Sequence, residues 1–367
     1  MSFIDKRNPV SGRWARTTGL ITMLIVPLGL AACDDPVDVP PLDSQQIGYR
    51  GTGMEQVSNP RLDALLVKLN EVPPPIYDPV PADGPMATEI YQNVQVLGDL
   101  TADQFDRLMA HITEWVAPPE QGCNYCHNPE NLADDSVYTK VVARSMISMT
   151  RQINSDWGDH VSQTGVTCYS CHRGEPVPAN IWFAAPPPTT KMVGWDGGQN
   201  HPVAAINYSS LPADPFSAYL LDDEAIRIAA PKALPGAHDA PIQQTEKTYA
   251  LMIHMSQSLG VNCTFCHNSR SFGDWTQSPP QRTTAWHGIQ MTRMLNQDHL
   301  KPLTDVFPEN RLGPLGDVAK VNCSTCHQGV NKPLLGAPML RDHPELWGDA
   351  DFSQKAAGTA ALNFEQP

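Results

Sequence analysis

The chain is short of charge, and the charge it has is lopsided. Asp, Glu, Lys and Arg make up 17% of 367 residues, against about 25% in ordinary domains. The 25 Lys and Arg are outnumbered by 39 Asp and Glu, for a net charge of −14. So few basic residues disfavour nucleic acid, whose phosphates attract cationic surfaces; the balance suits a basic partner. A membrane-spanning helix needs about 20 apolar residues, and the apolar stretch at residues 19–30 has twelve. What abounds instead is proline, 35 residues of it. Each proline removes a backbone donor and restricts the residue before it, which excludes a tidy bundle of long helices. The length allows roughly two domains.

Eight of the nine cysteines fall in four copies of one pattern, C-x-x-C-H: Cys123, Cys126 and His127; Cys168, Cys171 and His172; Cys263, Cys266 and His267; Cys323, Cys326 and His327. At this composition chance gives roughly 0.007 copies in the whole chain. Two thiols three positions apart reach the two vinyl groups of one haem, and the adjacent imidazole ligates its iron. A zinc half-site or redox dithiol does not require His after every second Cys, and a disulfide framework leaves the four histidines unexplained. The expectation is four covalently attached haem c groups.

The ninth cysteine belongs to a different pattern. Lys6, Arg7, Arg13 and Arg16 precede the apolar stretch, and Leu30-Ala31-Ala32-Cys33 follows it. A basic region, a short apolar run and small residues before a Cys match the leader of a bacterial lipoprotein, with Cys33 as the expected lipid attachment; the alternative is an uncleaved anchor with Cys33 unmodified. Asp34 resembles the signal that keeps such proteins in the inner membrane. The expected location is the periplasmic face of the cytoplasmic membrane, the compartment in which haem c is attached.

The organisation expected is a signal peptide over 1–32, an attachment and extended segment over 33–100, a first haem pair over 101–174, a Pro-rich linker over 175–240, a second pair over 241–330 and a C-terminal tail over 331–367, polar and loop-like from Arg341 onward. A short helix is expected over 60–69. Motifs one and three continue as His-Asn, and motifs two and four end in Gly two residues after His, at offsets of 140 and 155. That is a two-haem unit duplicated. Helical periodicity precedes each motif, over 101–115, 141–153, 245–259 and 284–295. The first starts at Thr101 with Gln104 three residues on, and Pro118-Pro119 stops it.

Four histidines fill half of eight axial positions, and the other ligand of a haem c is commonly Met or His. Met109 and Met252 sit in similar tetrapeptides before motifs one and three. Before motif two the choice is Met146 or Met149. Met149-Thr150-Arg151 matches Met291-Thr292-Arg293 at an offset of 142, and at that offset Met146 falls on Gly288. If Met149 is the ligand, the fourth helix keeps Met291. If Met146 is the ligand, the fourth helix has lost its own, and His160 is a candidate substitute. His111 and His254 lie about 200° round a helix from their methionines, and are expected at the surface or near haem propionates.

Together these residues resemble the tetrahaem cytochrome c subunit of the purple-bacterial photosynthetic reaction centre. The four motifs with their flanks carry the resemblance, along with residues 50–56 (Arg-Gly-Thr-Gly-Met-Glu-Gln) and Cys33. The resemblance implies His127/Met109, His172/Met146 and His267/Met252 ligation, with His327/His160 at the fourth haem. It implies an extended haem row with a pseudo-two-fold relation between the pairs, the third-motif haem nearest the special pair and the first near the distal end. Arg282 resembles an arginine beside the third haem, where a cation favours the reduced iron. The implied partners are the L and M subunits and a soluble donor such as cytochrome c2 or another small redox protein.

The function expected is an electron wire rather than an enzyme. The fold expected is a multihaem cytochrome c, mainly α with long Pro-rich loops, its four haems in two pseudo-two-fold-related pairs. Two other functions compete with it: a multihaem reductase of a small oxidant such as nitrite, which needs a five-coordinate haem, and a lipoprotein conduit serving another membrane partner.

Overall fold

The computed structural model describes residues 39–47, 54–162, 164–186, 198–226 and 242–348. The leader, Cys33, residues 50–53, much of the Pro-rich linker and the tail from 349 lie outside the described residues. Residues 41–367 form one compact unit and residues 1–40 another; in the latter only Val39 and Pro40 are described, both exposed. Among the described residues no helix is long and apolar enough to cross a membrane.

Two short strands, β1 (Asp43–Gln46) and β2 (Glu55–Ser58), pair antiparallel with Asp43 opposite Ser58. The rest is helix and loop. Helix α1 (Pro60–Leu69) has Pro at its first position, where a missing N–H costs nothing, and Asn59 caps it by accepting from Arg61 N at 3.0 Å. Helix α2 (Ala102–Val116) opens with a reciprocal cap: Gln104 N donates to Thr101 Oγ1 at 3.4 Å and Thr101 N donates to Gln104 Oε1 at 3.1 Å. It ends just before Pro118. Helices α3 (Tyr138–Asp156), α5 (Ile242–Leu259) and α6 (Gln281–Met294) are the other long ones. The second and fourth motifs are themselves one-and-a-half-turn helices, α4 (Cys168–His172) and α7 (Cys323–His327).

Side-chain core is sparse and divided among small clusters. One joins Leu108, Trp115 and Ile147 to Leu334, Met339, Leu340 and Leu346. Another joins Trp182, Phe216, Tyr219 and Leu220 to Leu251 and Ile289. Two expectations change here. The tail from Arg341 is not loop-like up to 348: Leu346 is wholly buried, and Glu345 pairs with Arg107 at 2.7 Å with both side chains buried. Nor is 198–226 merely a linker, since Phe216, Tyr219 and Leu220 fill the space against α5 and α6. In both segments, large apolar residues spaced irregularly by turns supply core that no helical periodicity reveals.

Candidate haem-attachment sites

The four motifs fall into two structural kinds. In motifs one and three the first cysteine lies on a single 3-10 turn (Gly122–Tyr125 and Cys263–Phe265), and the second, Cys126 or Cys266, caps its end. His127 N and His267 N each donate to the carbonyl of their own first cysteine at 3.0 Å. Motifs two and four are α-helical and end in a left-handed residue, Arg173 (φ 55°) and Gln328 (φ 48°), then a glycine with φ near 90°. Those glycines, Gly174 and Gly329, donate to Trp115 O at 3.0 Å and Ser258 O at 2.8 Å, the second-last residues of α2 and α5. Each methionine-bearing helix is thereby tied to the second motif of its own half.

All four motif histidines are held by Nδ1. His127 donates to Leu132 O and His267 to Phe272 O, both at 3.0 Å and five residues on. His172 donates to Glu175 O at 2.8 Å and His327 to Val330 O at 3.0 Å, both three residues on. Fixing Nδ1–H on a carbonyl orients the ring and leaves Nε2 to ligate. Burial lowers the pKa of His172, His267 and His327, the last to about 4, so these rings are neutral near pH 7, as ligation requires.

An apolar cavity of about 690 Å³ runs through the unit, lined by cysteines of all four motifs (Cys126, Cys168, Cys171, Cys266, Cys323 and Cys326) and by His160, His172, His327 and Met146. Cys171 and Cys326 are neighbours in its lining, so the second and fourth motifs meet there. All eight motif cysteines are free. Burial pushes Cys168 and Cys323 up to about 12 and Cys266 up to about 11, because their apolar surroundings disfavour a thiolate. Among the described residues, no three His, Cys, Asp or Glu side chains are placed to hold a metal ion. The lining suits a flat apolar cofactor flanked by paired thiols and a fixed imidazole.

His160 and His327 stand together, ring centres 6.0 Å apart. An imidazole nitrogen ligates a metal at about 2 Å, which sets two rings on opposite sides of one ion about 6 Å apart, centre to centre. His160 Nδ1 is tied to Thr284 O on α6 at 2.9 Å, the same device as in the motif histidines. Its ring lies against Gly288: a β-carbon there would come within 2.8 Å of Nδ1 and 3.0 Å of Nε2.

The methionines show a regularity that spacing to the motifs hides. Met109 and Met252 each lie seven residues before the end of their helix, although one is 14 and the other 11 residues from its motif. The three extra residues belong to the loop after α2. Four residues beyond Met109, Met146 and Gly288, a threonine hydroxyl donates back to that residue's carbonyl, each at 2.8 Å (Thr113, Thr150 and Thr292). Four beyond Met149 and Met291 stand Ile153 and Leu295, and these two methionines pack with Met294 in an apolar cluster. The Met-x-x-x-Thr pattern was readable in the sequence and went unused.

Arg282 lies at the third motif. Its Nη1 donates at 3.1 Å to Phe272 O, the carbonyl that also accepts from His267, and its guanidinium lies 3.9 Å from the centre of the Trp275 ring. His111 and His254 are not at the surface: both are buried, at 1% and 3% exposure. His111 Nδ1 donates to Arg107 O at 2.8 Å, and its ring centre lies 4.6 Å from that of His343; His254 bridges Ala205 O and Ser258. The 200° separation from methionine does point them away from its face, but toward helix packing instead of solvent.

Paired free thiols, carbonyl-fixed imidazoles and a shared apolar chamber define a c-type cytochrome. The comparisons name its kind. The family model of the photosynthetic reaction centre cytochrome c subunit matches residues 38–347. The chain is 51% identical to the photosynthetic reaction center cytochrome c subunit of Rubrivivax gelatinosus over 330 residues, 89% of each chain. It is 47% identical to that of Thermochromatium tepidum over 347 residues, 94% of this chain and 84% of the relative. A more distant similarity, 26% over 292 residues, links it to cytochrome c-554 of Chloroflexus aurantiacus, covering 66% of this chain and 69% of the relative. The chain belongs to the reaction-centre cytochrome c subunit family: an electron-transfer component of photosynthesis, not an enzyme, that carries covalent haem c and associates with the reaction centre at the photosynthetic membrane.

Proposed function

We propose that the chain carries four haem c groups and passes electrons from a soluble periplasmic donor to the photo-oxidised special pair held by the L and M subunits. Haem supplies an iron that accepts and returns one electron; the chain sets where each iron sits and what ligates it. The observation that carries the count is the set of four motif imidazoles, each fixed through Nδ1 beside its own pair of free cysteines.

The distal ligands we assign are Met109 for His127, Met146 for His172, Met252 for His267 and His160 for His327. Support for His160 is its 6.0 Å approach to His327 and the vacancy at Gly288 that admits it. Support for Met146 over Met149 is that Met146 stands in the α3 position matching Gly288, with the same threonine behind it. In this arrangement α6 gave up a methionine and a residue from the first half completes the fourth site of the second half. With every iron six-coordinate, none is open to a substrate, and potential is set by ligand type, Met raising it.

The neighbouring Cys171 and Cys326 thiols favour an order of motifs one, two, four, three along the row, with the pseudo-two-fold axis between the middle two. Arg282, sharing a carbonyl with His267, is suited to raise the potential of the third haem, which we place nearest the special pair. The first haem is then the distal one, facing the donor. Lipid on Cys33 would hold the chain to the periplasmic face. Flash excitation of native membranes tests the whole reading: absorbance changes from haem oxidation are expected within the flash response, and their absence overturns the assignment.

A further inference from the structure

The helices before the first and third motifs match, but the approaches that follow them are built differently. After α2 six residues lead to Cys123, among them Pro118 and Pro119, whose fixed φ stiffens the loop locally. Gln121 N and Gly122 N both donate to Pro118 O, at 2.9 and 3.0 Å. After α5 only Gly260, Val261 and Asn262 lead to Cys263. This approach has no proline. It begins with a glycine at φ 63°, the residue type with the greatest backbone freedom.

The short approach is held from outside by β2. Asn262 N donates to Gln56 Oε1 at 2.9 Å, and Gln56 Nε2 donates to Gly260 O at 3.3 Å. Val57 N donates to Asn262 Oδ1 at 3.4 Å, Asn262 Nδ2 donates to Val57 O at 3.2 Å, and Thr264 Oγ1 donates to Glu55 O at 2.9 Å. The clamp is itself anchored. Met54, just before β2, is buried to 2% exposure, and Ile47 N donates to Met54 O at 3.1 Å. A single side chain, Gln56, therefore engages the backbone on both sides of Val261.

We propose that Gln56 is a positioning residue for the third haem: it holds residues 260–262 in the geometry from which Cys263 presents its thiol. It does from another segment what Pro118 and Pro119 do within the loop at the first motif. The inference rests on reading the third motif as one of four haem sites.

The test uses the full chain, haem-loaded and purified, with Gln56→Met, which keeps side-chain length and removes both hydrogen bonds, and Gln56→Glu, which keeps the acceptor for Asn262 N. Haem per chain is counted first in the unmodified protein, and any number other than four overturns the four-haem reading independently of the variants. Redox titration and low-spin electron paramagnetic resonance then follow the four haems, the third being identified as the one displaced by Met252→His. Gln56→Met is expected to shift the third wave and its resonance alone, and Gln56→Glu to shift them less. Four unchanged waves, or four that move together, overturn the proposal. If Gln56→Met yields no haem protein, Gln56→Glu, which loses only the donor to Gly260 O, decides: a smaller shift confined to the third haem supports the proposal, and no shift overturns it.

Discussion

The ring of His160 occupies the space that a side chain at Gly288 would need, and that vacancy lets it stand 6.0 Å from His327. Any β-carbon at 288 must displace the imidazole or bend α6, because Thr284 O, one turn earlier on the same helix, holds the ring against it. Gly288→Ala is therefore expected to weaken or remove the distal ligand of the fourth haem only, seen as loss of the bis-histidine resonance and as carbon monoxide binding to one reduced haem per chain. Gly288→Met combined with His160→Ala restores the α6 arrangement found at Met146. It should give a fourth haem with a higher potential, since Met ligation raises it. A fourth haem untouched by Gly288→Ala would show that His160 is not its ligand.

Met146 and Met149 both line the chamber, and one α3 turn separates them. If Met146 ligates the second haem, Met146→Ala leaves that iron without its thioether, and the weak sulfur-to-iron band near the red end of the ferric spectrum should fall by one haem's share. Met149→Ala removes packing against Met291 and Ile153 instead. Its expected cost is about 2–5 kcal/mol of stability, with ligand bands unchanged. The opposite result reassigns the ligand.

The cysteine and histidine spacing made the attachment sites legible, because covalent haem demands that local pattern. The α2 start at Thr101 and the stop at Pro118 were legible for the same reason: a reciprocal cap and a proline are local chemistry. What stayed hidden was non-local. Nothing near Leu346 or Tyr219 in sequence shows that these residues are buried against helices far away in the chain. Gln56 looks like any strand glutamine until Asn262 is placed beside it. Gly288 looked like the loss of a methionine, and only the position of His160 shows what the loss makes room for.

Arg107 and Glu345 form a buried ion pair at 2.7 Å that ties residues 339–347 to α2. Arg107 also donates to Asp342 O at 2.7 Å and Asp78 O at 2.8 Å, while Glu345 Oε2 has no partner. Removing one partner of a buried pair leaves the other charge uncompensated, at a cost of about 3–5 kcal/mol. Glu345→Ala should lower the unfolding free energy from denaturant titration by that amount in haem-loaded protein. Glu345→Gln retains an acceptor for Nη1 and should cost less. Equal costs would mean that packing, not charge, holds the segment.

The net charge of −14 should steer a basic donor. Steered association falls steeply as salt screens it, over a Debye length of about 10 Å at 0.1 M. The bimolecular rate of donor oxidation in membranes is expected to drop at least tenfold between low and high ionic strength. A flat profile would assign docking to apolar contact instead.

His343 supplies an acid-sensitive joint. Its ring centre lies 4.6 Å from those of both His111 and Trp115, its Nδ1 has no partner, and burial pushes its pKa down to about 3. His111 and Arg107 press in the same direction, and Asp342 opposes them. A histidine whose folded pKa lies below its ordinary value of about 6.5 binds its proton in the unfolded chain first. Its contribution is thus complete above about pH 6.5 and is lost as pH falls toward 3, at up to about 1.4 kcal/mol per pH unit. Unfolding of the haem-loaded protein followed from pH 8 to pH 4 should show stability falling below pH 6.5. His343→Phe, which keeps a ring between Trp115 and His111 and cannot take a proton, should flatten that slope by close to one proton. If the slope is unchanged, the acid response originates elsewhere, and His343 serves only as packing between the C-terminal segment and α2.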